Sequence, residues 1–431
     1  VTTLNLSNKD NSKFSIGYKS REDYEFTKVT KSESYIAKVK EKIAQEKKPR
    51  VVIVDESSML STKDMAKIVE KLRPEDKIVF AGDIKQFKSV QQGSFFDHLQ
   101  KIGKVTEMKE KTRQKTAFTK EVVAGVEEGD ISNVIQKIAD FGNLTEIKNS
   151  AHLKEKFVNN IIDDIKKGKD TLALVSTNVQ REEMNRKIRD SLIKNNIVGG
   201  NSKEIEILEP IKNNDFDKKQ IQNYEVGNIL KFTKMQGDIK TGVELKIVST
   251  NIEKQVVAVE LPNGKQKDLN IDKLLETEQY KIKNIDLKEG DTIIFNKNQG
   301  DLKNGTTAKI SKIDGDNITI FANNKEQDFN YKKDKHLDYG YVLTLHKSQG
   351  MDGKEVHVFV DNMTNRNAFY VAVTRAVENV KAYLTDQKDI DKKIGNEQIK
   401  ENIVTKKDEK DAAKNPISKD ENTVTKKEQL Q

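Results

Sequence analysis

Apolar positions along the chain follow two different rhythms. Between about residues 32 and 175 they alternate between helical stripes and short continuous runs. Tyr35, Ile36, Val39 and Ile43 share one helical face; Met65, Ile68, Val69 and Leu72 share another. Val51–Val54 is an unbroken run of strand length ending in Asp55-Glu56, and Lys77–Ala81 is a second one ending in Gly82-Asp83. Thr171–Ser176 is a third, followed by a helical pattern from Gln180 to Ile193. Runs that are apolar on both faces, separated by amphipathic helices, predict a parallel sheet covered by helices. In such sheets chemistry collects at the carboxyl ends of the strands, which is where both acidic dipeptides stand.

From Val226 to Tyr331 the period drops to two. Glu244–Ser249, Val256–Leu261, Asp291–Phe295, Ala308–Ile313 and Asn317–Phe321 read as short strands. Asn263-Gly264, Asn304-Gly305 and Asp314-Gly315 mark turns between them. This texture predicts small antiparallel β-barrels. The strand–helix–strand pattern returns from Tyr339 to Leu384. After Tyr383 no aromatic residue occurs, and from Asp391 onward the chain is mixed charge, Asn and Gln. Such a segment cannot bury enough surface to offset its ordering entropy. Residues 396–431 are therefore expected to form a charged disordered tail or a loose helix.

Composition narrows the function classes. A length of 431 residues suggests two to four domains. The absence of Cys excludes disulfide scaffolds, thiolate metal sites and thiol catalysis, and fits a reducing cytoplasm. The five His, at 98, 152, 336, 346 and 357, show no metal-ligand spacing. No apolar run approaches the ~18–20 residues of a membrane span. No export signal opens the chain, so a cytoplasmic, membrane-free protein is expected. The net charge is +8. The segment from Asp386 onward is charge-balanced, so the excess belongs to residues 1–385. A basic body favours an acidic partner, nucleic acid first, although an A+T-rich genome enriches Lys by itself.

Five segments can carry chemistry. Asp55-Glu56 after a strand suits Mg²⁺ held by the Asp through water and a water polarised by the Glu. Acidic pairs at strand ends are also common where no nucleotide binds. Gly82-Asp83-Ile84-Lys85-Gln86 places a neutral amide at the next strand end. Arg113-Gln114 follows Val105–Met108, read as a strand of the first domain, and Arg113 is a bidentate phosphate donor or a surface charge. Thr344-Leu345-His346-Lys347-Ser348-Gln349-Gly350 packs groups suited to phosphate and sugar, or to capping a helix. Arg375, within Tyr370–Ala376, is either a finger aimed at phosphate or the partner of a carboxylate such as Glu378.

Taken in order, Asp-Glu, Gly-Asp-x-x-Gln, Arg-Gln, a Thr-Asn after a strand, His-Lys-Ser-Gln-Gly and Val-Ala-x-Thr-Arg-Ala form a series. With "HLDYGYVLTLHKSQGMDGKEVHVFV" and "NRNAFYVAVTRAVENVKAYL" it resembles the superfamily 1 DNA helicases over about residues 30–385. Within them it is similar to the helicase part of TraI-type conjugative relaxase-helicases, related to RecD. The resemblance implies an α/β chain of two RecA-like parallel-sheet domains, the first incomplete. It assigns 1–150 to the partial first domain, 151–200 and 336–395 to the second, and 201–335 to an inserted small β-barrel region. It implies ATP and Mg²⁺ as cofactors and single-stranded DNA as partner. Asp55 becomes the Mg²⁺ and nucleotide ligand and Glu56 the water-activating base. Gln86 couples nucleotide to DNA, and Gly350 lies by the nucleotide. Arg113 and Arg375 reach the γ-phosphate from opposite sides of a cleft between the domains. Thr177, Asn178, Thr344, His346, Lys347 and Ser348 touch the DNA strand.

One departure is decisive. No G-x-x-x-x-G-K-[ST] phosphate loop occurs; Gly-Lys at 103–104, 168–169, 264–265 and 353–354 is never followed by Ser or Thr. A His cluster for a nicking metal is also lacking. The expectation is a helicase part that needs an upstream piece carrying the phosphate loop and the relaxase domain. The competing expectation is a remnant that binds single-stranded DNA and hydrolyses nothing.

Overall fold

Val52 and Val54 are fully buried on one face of the strand Arg50–Val54, as the apolar run requires. The computed structural model describes residues 25–29, 50–87, 95–108, 112–298, 301–387 and 394. The helix expected over 35–43 and the tail expected over 396–431 lie outside these. The described residues fall into two units, 25–108 and 112–394.

In the first unit three strands form a parallel sheet: β1 (Glu25–Val29), β2 (Arg50–Val54) and β3 (Lys77–Phe80), with β2 in the middle. The helix Thr62–Val69 starts at Ser61, whose hydroxyl accepts the Asp64 N–H at 3.1 Å. Its Met65 and Ile68 are buried, and Ile68 packs with Val52 and Val54. Val69, placed on that stripe by its period, is 45% exposed. The expected strand Val105–Met108 does not form: Val105 and Met108 are exposed and pair with nothing among the described residues. Lys104 and Glu107 beside them leave no apolar face to bury.

A buried ion pair ties β2 to the approach of β3. Arg50 is 1% exposed and donates through its guanidinium to both oxygens of Asp76, which also accepts the backbone N–H of Arg50 and Arg73. Burial raises the Asp76 carboxyl, but the Arg50 guanidinium and the two N–H groups more than offset it and hold it well below the usual carboxylate range. With the folded pKa depressed, its stabilisation is present above pH ~3.9 and lost as pH falls below that. Asp76→Asn removes the buried carboxylate charge that Arg50 and two backbone N–H groups engage. It is expected to destabilise the first unit by about 3–5 kcal/mol, read from the denaturant midpoint at pH 7. A shift below the measurement error would contradict this.

The second unit holds a five-stranded parallel sheet and two antiparallel ones. The helices Ala117–Glu128 and Ile131–Asp140 precede β4 (Leu144–Glu146), the helix Ser150–Lys166, β5 (Thr171–Val175) and the helix Asn178–Lys194. The antiparallel strands follow: β6 (Gly199–Ile211), β7 (Ile229–Phe232), β8 (Leu245–Asn251), β9 (Val256–Glu260), β10 (Gln266–Asn270), β11 (Thr277–Glu289), β12 (Thr292–Phe295), β13 (Thr307–Asp314), β14 (Asn317–Ala322), β15 (Lys325–Phe329) and β16 (Leu337–Tyr339). β17 (Val342–Thr344), β18 (Gly353–Phe359), the helix Arg366–Thr374 and β19 (Ala376–Leu384) complete the parallel sheet, in the order β17-β5-β18-β19-β4.

Residues 112–146 belong to this second sheet, whereas the sequence reading carried the first domain to 150. Lys115 N–H donates to Val377 O at 2.8 Å, Thr116 Oγ1 to Glu378 O at 3.0 Å, and β4 pairs with β19. The apolar stripe Val122, Val123, Val126, Val134, Ile135 and Ile138 is fully buried. Elsewhere on the unit Phe157, Ile161, Met184, Ile188 and Leu192 pack over Ala173, Val175 and Val342.

The inserted region contains a six-stranded sheet, β10-β9-β8-β7-β11-β6, and a five-stranded one, β15-β14-β13-β12-β16. Among the described residues neither order closes on itself. β6 and β11 are each 13 residues long, and Ile205, Ile207, Ile285 and Leu287 from them complete the core of the smaller sheet. Gly315, at φ 61°, makes the two-residue Asp314–Asn317 hairpin that its Asp-Gly predicts. Among the described residues no helix is long and apolar enough to cross a membrane.

Candidate nucleotide and nucleic-acid sites

The carboxyl ends of β2 and β3 are cross-linked. Ala81 N–H donates to Val54 O at 2.8 Å, Ser57 N–H to Ala81 O at 2.7 Å, and Ser57 Oγ to Val54 O at 2.6 Å. Asp55-Glu56 and Gly82–Gln86 therefore stand side by side. Glu56 adopts φ 55°, a left-handed conformation costly for a non-Gly residue, and its N–H donates to Asp55 Oδ1 at 2.9 Å. Gly82 is required sterically: a Cβ there would meet Ser58 N at 2.9 Å and the Phe96 ring at 3.1 Å. Asp83, 3% exposed, accepts Lys85 N–H at 2.9 Å and Gln86 Nε2 at 3.3 Å, so it holds the Gln86 amide in place. Its Gly-Asp was legible in the sequence; its role as the holder of Gln86 was not.

The chemistry of this donor set fits Mg²⁺ bound by one carboxylate and completed by water and phosphate oxygens, the usual mode for this ion. Among the described residues no group of three or more His, Cys, Asp or Glu forms an all-protein cage.

In the second unit, Arg113 and Arg375 meet at one turn. Arg113 Nη1 donates to Thr374 O at 3.2 Å, and its Nε lies 2.8 Å from Asp352 Oδ1. Gln114, buried, donates to Thr374 O at 3.1 Å and Ala376 O at 3.3 Å. Arg375 is 2% exposed and donates to Val371 O, Met351 O and Thr374 Oγ1 at 3.2, 3.4 and 3.3 Å. Glu378 pairs with Lys354 at 3.7 Å. The two arginines thus belong to the same unit, contrary to the expectation of opposite sides of a cleft. The physical reason is the docking of residues 113–116 onto β19. Gly350, exposed at φ 81°, opens the turn that carries Met351 and Asp352. No sequence signal marked Asp352 as the partner of Arg113.

The strand-end loops of β5 and β17 also lie together. Their strands pair in parallel with Thr344 opposite Val175, and Leu345 N–H donates to Val175 O at 3.0 Å. Thr177 caps the helix Asn178–Lys194 in a reciprocal box with Gln180, so its hydroxyl is engaged. Asn178 and His346 are exposed, and Thr344 and Lys347 half-buried. Ser348 is fully buried with its Oγ donating to Leu345 O at 2.8 Å, which turns it away from a surface ligand. That contradicts its expected DNA contact: the hydroxyl closes its own turn.

A further polar cluster escaped sequence reasoning. His357 Nε2 lies 2.9 Å from Asp164 Oδ2 and its Nδ1 2.9 Å from Tyr383 OH. Burial pushes His357 below the usual imidazole range. The ring is 0% exposed, so the cluster fastens the helix Ser150–Lys166 to β18 and β19 and meets no solvent.

A family model described as an AAA domain matches residues 16–149. The conjugal transfer protein TraA of Rhizobium radiobacter is 33% identical over 100 residues, 22% of this chain and 9% of that protein. The probable conjugal transfer protein TraA of Sinorhizobium fredii is 34% identical over the same coverage. The match thus spans about a tenth of the length of these relatives. Among solved structures, one of two coordinating Pif1 helicases on forked duplex DNA is similar at a TM-score of 0.41 and 13% identity, covering 87% of this chain and 77% of that one. These matches make residues 16–149 similar to an AAA domain and a 100-residue part of the chain similar to conjugal transfer proteins.

Proposed function

We propose that the chain is the helicase part of a TraI-like conjugative DNA-transfer protein, working in the cytoplasm as an ATP-dependent translocase on single-stranded DNA. The observation that carries this reading is the cross-linked pair of strand ends, which sets Asp55-Glu56 beside Gly82–Gln86. Asp55 would hold Mg²⁺ through water, and Glu56 would orient and deprotonate the attacking water. Gln86, fixed by Asp83, would hydrogen-bond the nucleotide and pass its state to the DNA. Mg²⁺-ATP, when bound, supplies the phosphoryl group whose loss drives movement. Gly350 would border the nucleotide, and Arg113 and Arg375 would stabilise phosphate charge once freed from Asp352 and from the Thr374 turn. Thr344, His346, Lys347, Thr177 and Asn178 would face the strand. The phosphate loop would come from an upstream segment, which would also carry the relaxase domain. Co-purifying that segment with the chain and measuring DNA-stimulated ATP turnover tests the reading; turnover unchanged by Glu56→Gln would defeat it.

The second reading, a DNA-binding remnant without ATPase activity, is favoured by the lack of a phosphate-loop motif in the sequence. Both readings share one expected result. The chain alone binds an oligo-dT strand, and with about five phosphates neutralised the slope of log K against log salt is roughly −3.5. Anisotropy titrations between low and physiological salt measure it, and a slope near zero would remove single-stranded DNA as the partner.

A further inference from the structure

One carboxylate ties the loop after β18 to the loop after β5. Asp361 follows β18, whose Val358 pairs in parallel with Leu174 of β5, so the two strand ends stand side by side. Asp361 Oδ1 accepts the Ser176 hydroxyl at 2.8 Å, the Thr364 hydroxyl at 3.0 Å and the Met363 N–H at 3.0 Å. Thr364 is fully buried, and its Oγ1 also lies 2.9 Å from Ser176 Oγ. Asp361 Oδ2 accepts Gln180 Nε2 at 2.7 Å, from the first turn of the helix Asn178–Lys194. Gln180 Oε1 in turn accepts the Thr177 N–H at 3.2 Å and the Thr177 hydroxyl at 3.1 Å.

An ionised carboxylate only accepts hydrogen bonds. The Gln180 amide can therefore offer it Nε2 alone, which leaves Oε1 for Thr177. The reciprocal cap at Thr177 depends on that orientation. The capped turn fixes the backbone at Thr177 and leaves Asn178 exposed. A negative charge beside a site for a polyanion is unfavourable in itself. Asp361 thus suits the role of a fixed acceptor and not that of a ligand.

We infer that Asp361 is a positioning residue for strand binding: it orients the Gln180 amide and, through it, the Thr177–Asn178 turn. The inference rests on the single-stranded DNA reading and adds to it a residue that itself touches no DNA.

Two effects of Asp361→Asn oppose each other. Loss of a negative charge strengthens binding of a polyanion, whereas freeing the Gln180 amide weakens it. Oligo-dT affinity of the full chain, measured by anisotropy at fixed salt, is expected to fall about tenfold, the loss of one charge-assisted hydrogen bond. Gln180→Ala should weaken binding by a similar factor, and adding Asp361→Asn to it should cost little more, because both remove the same tie. Asp361→Asn combined with Gln180→Glu exchanges donor for acceptor: the new amide donates to the new carboxylate, and the net charge is that of the wild type. This pair should recover affinity to within about twofold of the wild type. Unchanged or tighter binding in Asp361→Asn, or no recovery in the exchanged pair, overturns the inference. A second arm needs no DNA. Hydrogen exchange of the free chain should quicken over residues 176–182 in Asp361→Asn and return to the wild-type rate in the exchanged pair. That result in a chain that binds no oligo-dT would keep the tie and reject the DNA reading. Unchanged exchange over this segment would reject the tie, and a rise throughout the chain with a lowered melting temperature would reduce Asp361 to a structural role and overturn the inference.

Discussion

Arg375→Ala in the chain assembled with the proposed upstream phosphate-loop segment is expected to lower DNA-stimulated ATP turnover by about 10³–10⁵-fold, the effect of removing an arginine finger. DNA binding should change little, because the loops at Thr344–Lys347 and Thr177–Asn178 lie at other strand ends. The structure sharpens what must be measured. The Arg375 guanidinium is buried against Val371 O, Met351 O and Thr374 Oγ1, so the substitution also removes ties between the helix Arg366–Thr374 and the turn at Met351. A purely structural arginine would lose melting temperature and DNA binding together. A finger would lose turnover while both persist. Arg375→Lys separates the cases: it keeps a charge but not the planar fork, so turnover should stay low even where folding recovers. Folded variant protein with less than a tenfold loss of turnover would rule out a finger at 375. Arg113 acts from the same turn and must first leave Asp352, at 2.8 Å.

The chain on its own is expected to hydrolyse ATP at no more than background rate. A phosphate loop offers several backbone N–H groups and a lysine to the β- and γ-phosphates. Losing four charge-assisted hydrogen bonds at the low end of their range costs roughly 6 kcal/mol, or about four decades of affinity. Asp55, Gln86, Arg113 and Arg375 offer carboxylate, amide and guanidinium groups, none of which forms that cradle. Phosphate-release assays with and without oligo-dT test this; turnover by the pure chain that Glu56→Gln abolishes would show that another segment binds the phosphates. In the sheet β1-β2-β3 the middle strand β2 already has a neighbour on each side, so a further strand would add at an edge, β1 or β3. Ile78, Val79 and Phe80 are only half-buried, as suits a strand still open to a neighbour.

By itself, the sequence determined the elements whose signal is local. The apolar runs Val51–Val54 and Thr171–Val175 became parallel strands because both of their faces must be covered, and Asp55-Glu56 fell at a strand end because the first of these runs stops there. Asp314-Gly315 set its own hairpin through the left-handed freedom of Gly315. The order of motifs carried the resemblance to the helicases. Tertiary structure decided everything that depends on which surfaces meet. Residues 112–146 joined the second sheet because Gln114, Lys115 and Thr116 satisfy their hydrogen bonds on Thr374–Glu378, contacts some 260 residues away in sequence that no local pattern encodes. The same docking put Arg113 and Arg375 in one unit. Ser348 turned inward and Asp352 became the partner of Arg113 for a shared reason: a polar side chain in a turn takes the nearest partner the fold supplies, and only the packed structure says which one that is.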